Sequence, residues 1–279
     1  MTEARYKENS DIIKIVGQNQ VEVVLSNDII SKVIAQTCRQ PGLSVVYSEL
    51  MSFNGKFHYK DIKGPWYKDS SGDEIYFYFD KQLVDQTYYD AVNAYSSASV
   101  MGIFTENDEV LLNPNMNYII KSTDKIICIA EDKEKINYEV HSDSDVNSEN
   151  IINEAMPHKK EHILILNWNR YTSTVIKELD DYIMPGSNIT VLTSGNYHKD
   201  FDMNVLKNCQ LVFVEGDPTN RAILENIEIN KYDNIIVLGD LDHCTIEYAD
   251  SRTLISLLHI RDICVNQKYN PTIISQILD

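Results

Sequence analysis

The stretch HILILNWNRYTSTVIKELDDYI, residues 162–183, decides the fold. Its opening, His162–Asn167, is a short apolar run of the kind found in parallel strands buried on both faces. Val175, Ile176, Leu179, Tyr182 and Ile183 then fall on one side of a helix, which Pro185-Gly186 stops. Downstream the alternation continues. Asn188–Leu192, Gln210–Val214 and Asn234–Leu238 read as strands, with helical spacing at Ile223, Leu224 and Ile227. A long helix, Thr245–Cys264, and a fifth strand, Thr272–Leu278, complete the series. Strands alternating with helices at these intervals predict an α/β fold. Its sheet is parallel with right-handed crossovers, in a doubly wound Rossmann-like lobe whose ligands sit at the carboxyl ends of the strands.

Working outward, residues 139–161 (EVHSDSDVNSENIINEAMPHKKE) interrupt the apolar pattern with one sign of charge over most of their length, and are expected to be an acidic linker. It separates residues 162–279 from residues 1–138, which look different. There a strand at Val21–Leu25 leads into a helix, Asn27–Cys38, with Ile29, Ile30, Val33 and Ile34 as its apolar face and Ser26 or Asn27 as its cap. Pro41-Gly42 ends it. A short helix, Leu43–Met51, precedes expected strands at Lys56–Lys60, Ile75–Phe79, Val100–Phe104, Tyr118–Ile120 and Lys125–Ala130. Residues 1–138 thus read as two helices followed by a small β-rich α+β lobe, in which Tyr76–Phe79 points alternately into the core and outward.

The 279 residues carry 25 Lys plus Arg against 42 Asp plus Glu, a net charge of −17. That balance repels phosphate backbones and the cations are scattered, so nucleic acid is set aside as a partner. No apolar run approaches the ~20 residues that span a bilayer, and no leader pattern follows Met1, so the expectation is a soluble, cytoplasmic chain. Five dispersed cysteines, Cys38, Cys128, Cys209, Cys244 and Cys264, form no CxxC pair and read as buried, inert thiols.

The candidate chemistry lies at the strand ends. A dinucleotide site would place glycines in the first strand–turn–helix, so that backbone can approach the pyrophosphate. Asn167-Trp168-Asn169-Arg170-Tyr171-Thr172 has none, and Trp168 and Arg170 would crowd a pyrophosphate. Arg170 with Thr172 can hold another anion or, the preferred reading, cap the helix and meet an acidic neighbour. Glu215-Gly216-Asp217 and Asp240-Leu241-Asp242, with Glu247 and Asp250 on the next helix, bring several carboxylates to the same crevice. Asp217, Asp240 and Asp242 are the candidate ligands of a hard cation such as Ca²⁺, although solvated acids and helix capping explain them without one. In the linker Asp143, Asp145, Asn147, Glu149 and Glu154 mimic an EF-hand spacing, but Ser148 stands where the turn needs glycine. The seven histidines are dispersed, and no HExxH, Gly-x-Ser-x-Gly or Walker loop occurs, so no enzyme is expected.

At Asn27-Asp28-Ile29-Ile30, Gln40-Pro41-Gly42-Leu43, Val100-Met101-Gly102-Ile103, Leu112-Asn113-Pro114 and Ile129-Ala130-Glu131-Asp132 the sequence resembles the cytosolic region of CASTOR/POLLUX-type cation channels, whose gating ring is built from RCK (TrkA-like) domains. The resemblance continues through Trp168-Asn169-Arg170, Met184-Pro185-Gly186-Ser187, Glu215-Gly216-Asp217, Tyr232–Leu238 and Asp250–Leu254, and on to Leu258–Ile263. It implies that residues 1–138 are the end of a first RCK unit, with crossover helices and a C-lobe, and that residues 162–279 are the Rossmann-like lobe of a second. It further implies a homo-oligomer, a dimer building a ring, that couples ligand binding, Ca²⁺ foremost, to a potassium-class membrane pore in the same or a partner chain. Asn167, Trp168, Asn169, Arg170, Glu215 and Asp217 are the candidate ligand contacts. No pore helices are seen, and the sequence stops where a second C-lobe would begin, which leaves an excised piece or a regulatory subunit as alternatives. The helix Thr245–Cys264 suits assembly, with Ile246, Ala249, Leu254, Leu257 and Leu258 in one apolar stripe and Ile255, Ile260 and Ile263 in a second. The rivals are a nucleotide-binding oxidoreductase and a ligand-free assembly module.

Overall fold

The computed structural model describes residues 2–4, 13, 15, 16, 21, 23–51, 72–139, 159–195 and 201–278. The expected strand at Lys56–Lys60, the EF-hand mimic and most of the acidic linker lie outside them. Among the described residues no helix is long and apolar enough to cross a membrane. Contacts divide the chain into two units, one of Met1–Leu43 with Ala155–Asp279 and one of Ser44–Glu154.

The chain opens with two short strands, β1 (Thr2–Ala4) and β2 (Val23–Leu25), paired in parallel, and β2 runs directly into helix α1 (Ser26–Arg39). The sequence pattern placed α1 with the β-rich lobe, yet it packs in the unit of the parallel sheet. Ser31, Ala35 and Cys38 are its buried face, and these small side chains let it lie close against its neighbours. Ile29 and Ile30, expected on the packed face, are exposed. Arg39 pairs with Glu161 at 3.1 Å, and the Ser31 hydroxyl donates to Asn27 O.

The second unit contains α2 (Leu43–Leu50, from its second residue), β3 (Glu74–Tyr78), α3 (Tyr88–Val92), β4 (Ala98–Phe104), β5 (Val110–Leu112) and β6 (Lys125–Ala130). Its strands form an antiparallel sheet in the order β3-β6-β4-β5. Tyr76 and Tyr78 pack on the core of Leu83, Tyr88, Tyr95, Ile103, Ile126 and Cys128, whereas Ile75 and Phe77 face outward, as alternation requires. Two elements were not foreseen. Helix α3 is set by a capping box, with Thr87 and Asp90 exchanging side-chain and backbone bonds, and β5 is a three-residue edge strand. Tyr118–Ile120 is not a strand and makes only an isolated bridge from Ile119 to Thr87. The local chain is fixed by backbone bonds with Asp85, Gln86 and Tyr88 and by Asp124, which accepts from the Tyr118 hydroxyl and the Lys121 N–H, both at 2.9 Å.

The remaining elements are β7 (His162–Leu166), α4 (Thr172–Tyr182), β8 (Ser187–Thr193), β9 (Cys209–Glu215), α5 (Arg221–Asn226), β10 (Asn234–Val237), α6 (Ile246–Gln267) and β11 (Thr272–Ser275). The five strands form an all-parallel sheet in the order β11-β10-β7-β8-β9, the expected doubly wound layout. Ile163–Leu166 of the central strand are fully buried because helices cover both faces. Ile163 and Ile165 pack with Val175, Ile176 and Leu179 of α4 and with Ala35 and Cys38 of α1. Leu164 and Leu166 pack on the other side with Leu224 of α5 and with Ile260 and Ile263 of α6.

Asp180, on the last turn of α4, is where an acid opposes the helix dipole. The reason is tertiary. Its buried carboxylate accepts the N–H groups of Lys207 (2.7 Å), Asn208 (2.9 Å) and Cys209 (2.8 Å), pinning the entry to β9. Burial pushes this carboxyl up, but the three N–H donors outweigh it and hold it below the usual carboxylate value. Its stabilisation is therefore complete above the unfolded carboxyl value near 3.9 and is lost as pH falls through the lowered folded value. Asp180→Asn should cost about 2–3 kcal/mol in urea unfolding at neutral pH and flatten the acid limb of stability. An unchanged pH profile would show that Asp180 does not carry this linkage.

Candidate functional site

The strand order reverses between β7 and β10, so the crevice at their carboxyl ends is the place where a doubly wound sheet binds ligands. The turn after β7 keeps the tight geometry of a nucleotide-binding turn without its glycines. Asn167 has φ 71°, a left-handed conformation that asparagine tolerates far better than most residues. Its amide then fills the space that a glycine would leave, with Nδ2 donating to Leu238 O at 2.8 Å.

Asn169 repeats the device one step further out. Its Nδ2 donates to Gly239 O at 2.7 Å and to Gln276 Oε1 at 3.0 Å, while its Oδ1 accepts the Tyr171 N–H at 3.0 Å. The Asn169 N–H donates to Thr172 Oγ1 at 2.8 Å, and the Tyr171 and Thr172 N–H groups return to Asn169 Oδ1 and O, both at 3.0 Å, so the turn is knitted to itself although α4 has no side-chain cap. Arg170 gives its backbone N–H and its Nε to the two oxygens of Asp242, each at 2.7 Å. Trp168 points into the sheet cover, with its ring 6.0 Å from Phe201 and 5.7 Å from Phe213. Of the four turn residues, three close the crevice with their own polar groups and the fourth packs as core.

The acids expected to share a cation are held apart by separate partners. Asp217 Oδ1 accepts from the Thr219 N–H (2.9 Å) and hydroxyl (2.8 Å) and from Arg252 Nη2 (2.7 Å). Burial raises its carboxyl, and the Thr219 and Arg252 donors overcome that and lower it. Asp240 meets His243 Nδ1 at 2.7 Å, and Asp242 is engaged by Arg170. Glu215, at the end of β9, is exposed. Among the described residues no group of three or more His, Cys, Asp or Glu side chains is placed to hold a metal ion. In this structure each of the three acids has its own Arg or His partner.

The cysteines are buried or half-buried, and burial pushes Cys38 and Cys209 up to about 12 and Cys128 to about 11, far from the thiolate form. One site residue escaped sequence reading: Gln276, just after β11, reaches the crevice turn and stands in no motif that marks it. Asp250, expected among the crevice carboxylates, instead accepts the Leu278 N–H from α6.

Comparison with known proteins places this geometry in context. The family described as "Castor and Pollux, part of voltage-gated ion channel" matches residues 27–69 and 67–146. The probable ion channel POLLUX of Arabidopsis thaliana is 28% identical over 268 residues, covering 92% of this chain and 30% of that protein. The POLLUX channel of Oryza sativa subsp. japonica is also 28% identical, covering 92% of this chain and 26% of its own length. The chain therefore spans less than a third of these relatives. Among solved structures, the human SLO3 gating ring shares the fold with a TM-score of 0.63 at 12% identity, covering 92% of this chain and 52% of that one.

Because Asn167 is held at positive φ, glycine should be the milder substitution there and alanine the harsher. Asn167→Gly should lose about 1 kcal/mol for the bond to Leu238, and Asn167→Ala about 2–3 kcal/mol in urea unfolding, since it adds the left-handed backbone penalty. The reverse order would contradict the strain. NAD⁺ and ATP, added at millimolar concentration, should leave the melting temperature unchanged, because the turn that would receive them is filled; a saturable rise would show that the turn opens to them.

Proposed function

We propose, from the chain's relation to the CASTOR/POLLUX ion channels over 92% of its length, that it is a cytosolic regulatory unit of a cation channel, assembling with copies of itself into a gating ring. In this reading residues 1–138 contribute the end of a first RCK unit and residues 162–279 the Rossmann-like lobe of a second, acting on a potassium-class membrane pore in the same or a partner chain. The crevice residues support a mechanical rather than a catalytic task. A calcium ion shared by Asp217, Asp240 and Asp242 would have to displace Arg252, His243 and Arg170 together, so these acids serve first as ties between loops.

The observation that carries the assembly is helix α6. Its buried face is Ala249, Thr253, Ser256, Ile260, Ile263 and Cys264, which draws members from both stripes expected from the sequence. Directly opposite, Leu254 (53%), Leu258 (65%) and Val265 (68%) are exposed, with Ile255 beside them at 43%. A helix that is packed on one side and apolar on the other has a second surface to cover. A copy of the same stripe, related by a two-fold axis, meets it with like chemistry and is the simplest occupant. Pore control then follows if a ligand or partner binds one arrangement of the ring better than another, since only differential affinity moves such an equilibrium.

Light scattering of the purified chain should give a mass above that of the monomer. Leu254→Glu with Leu258→Glu should return it to the monomer, with melting temperature changed little because both positions are exposed. Equal masses for the wild type and the double variant would remove α6 from the interface.

A further inference from the structure

The segment that leaves β11 runs back past the crevice. Gln276 continues the sheet pairing with its N–H on Val237 O at 2.9 Å, and its side-chain Oε1 accepts from Asn169 Nδ2 at 3.0 Å and from the Gly239 N–H at 3.3 Å. Two residues on, the Leu278 N–H sits between both oxygens of Asp250 on α6, at 3.0 and 3.2 Å. Leu278 also lies beside Gly239, where a Cβ would come into ordinary van der Waals contact with its side chain at 3.4 Å.

We infer that Gln276–Leu278 is a strap closed over the β7–β10 crevice, and that its two latches, Gln276 on the turn after β7 and Asp250 on α6, release together. Each latch is a small number of hydrogen bonds at the partly exposed rim of the sheet, the class of contact that opens locally without unfolding the core. Only Ile277 stands between the two latched residues, and it is exposed. Losing one latch leaves only the other, with the Gln276 N–H bond to Val237 O, to oppose the ordering entropy of a short segment. The strap touches the crevice turn at Asn169 and α6 at Asp250, so displacing it from either end changes the same element. Anything that draws this segment off α6 uncovers the donors of Asn169 and Gly239, and by linkage a solute that occupies those donors loosens the segment from α6. This coupling stands apart from the assembly stripe, since Asp250 is not among Leu254, Leu258 and Val265.

Amide hydrogen exchange read residue by residue tests it in the full chain. Gln276→Ala should accelerate exchange at Gly239 and, about tenfold, at Leu278, whose own acceptor is untouched. Asp250→Ala should accelerate Leu278 and, in reciprocal fashion, Gly239. Gln276→Glu, whose carboxylate still accepts from both donors, should keep wild-type protection at both sites. Acceleration confined in each variant to the amide that lost its own partner would mean two independent bonds and overturn the strap. Equal acceleration at Ile165 and Val191 in the sheet centre would mean global loosening and overturn it as well.

Discussion

Everything at the functional end of the parallel sheet depends on two side-chain amides crossing from β7 to β10. Asn167 donates to Leu238 O and Asn169 to Gly239 O, which closes the gap between diverging strands where other doubly wound sheets admit a ligand. Buried amides of this kind are expensive to leave unmade, so the crevice is more stable closed by its own chain than open to water. The positive φ of Asn167 is the local cost of aiming that amide correctly, and the tertiary bond it permits offsets it.

The same economy governs the charges. The chain is strongly acidic, yet Asp217, Asp240 and Asp242 each hold a particular nitrogen, and Asp180 and Asp250 hold backbone N–H groups. Carboxylates used in this way act as joints between one strand end or helix and the next segment. At the strand ends such acids fix loops to one another in this structure. An acidic cluster read from sequence alone cannot distinguish such joints from metal ligands, because the distinction lies in whether Arg170, Arg252 and His243 arrive beside the acids through the fold.

What was legible in the sequence follows the same division. Strands buried on both faces announce themselves as apolar runs, so the parallel sheet and its element order could be read directly from His162–Asn167 and its successors. Helix faces were less legible. In α6 the expected stripes mixed buried and exposed residues because Thr253 and Ser256, polar in type, occupy the packed face, the latter with its hydroxyl on Pro218 O, while Leu254 and Leu258 stay outside. In α1 the packed face is made of small side chains, Ser31, Ala35 and Cys38, and a hydrophobicity pattern gives small residues little weight. The side chains that shape the crevice were found where they lay within the turn, at Asn167, Asn169 and Arg170. Gln276 was missed because it arrives from a distant element, and Asp250, though expected at the crevice, was read as a cation ligand rather than as the acceptor of the Leu278 N–H.

In the proposed regulatory role, these features set how a signal would pass through the unit. At the turn after β7 the side chains bond one another, so a ligand that uses those same donors and acceptors must replace existing bonds and move what made them. The bonds here reach β10, β11 and α6, and α6 is the helix with an apolar face turned to solvent. Movement at the crevice is therefore delivered to the element best placed to meet another subunit, through hydrogen bonds of a few ångströms and one helix. The proposed ring would then need no large internal rearrangement to change state, because interfaces between packed helices switch between discrete arrangements rather than deform continuously.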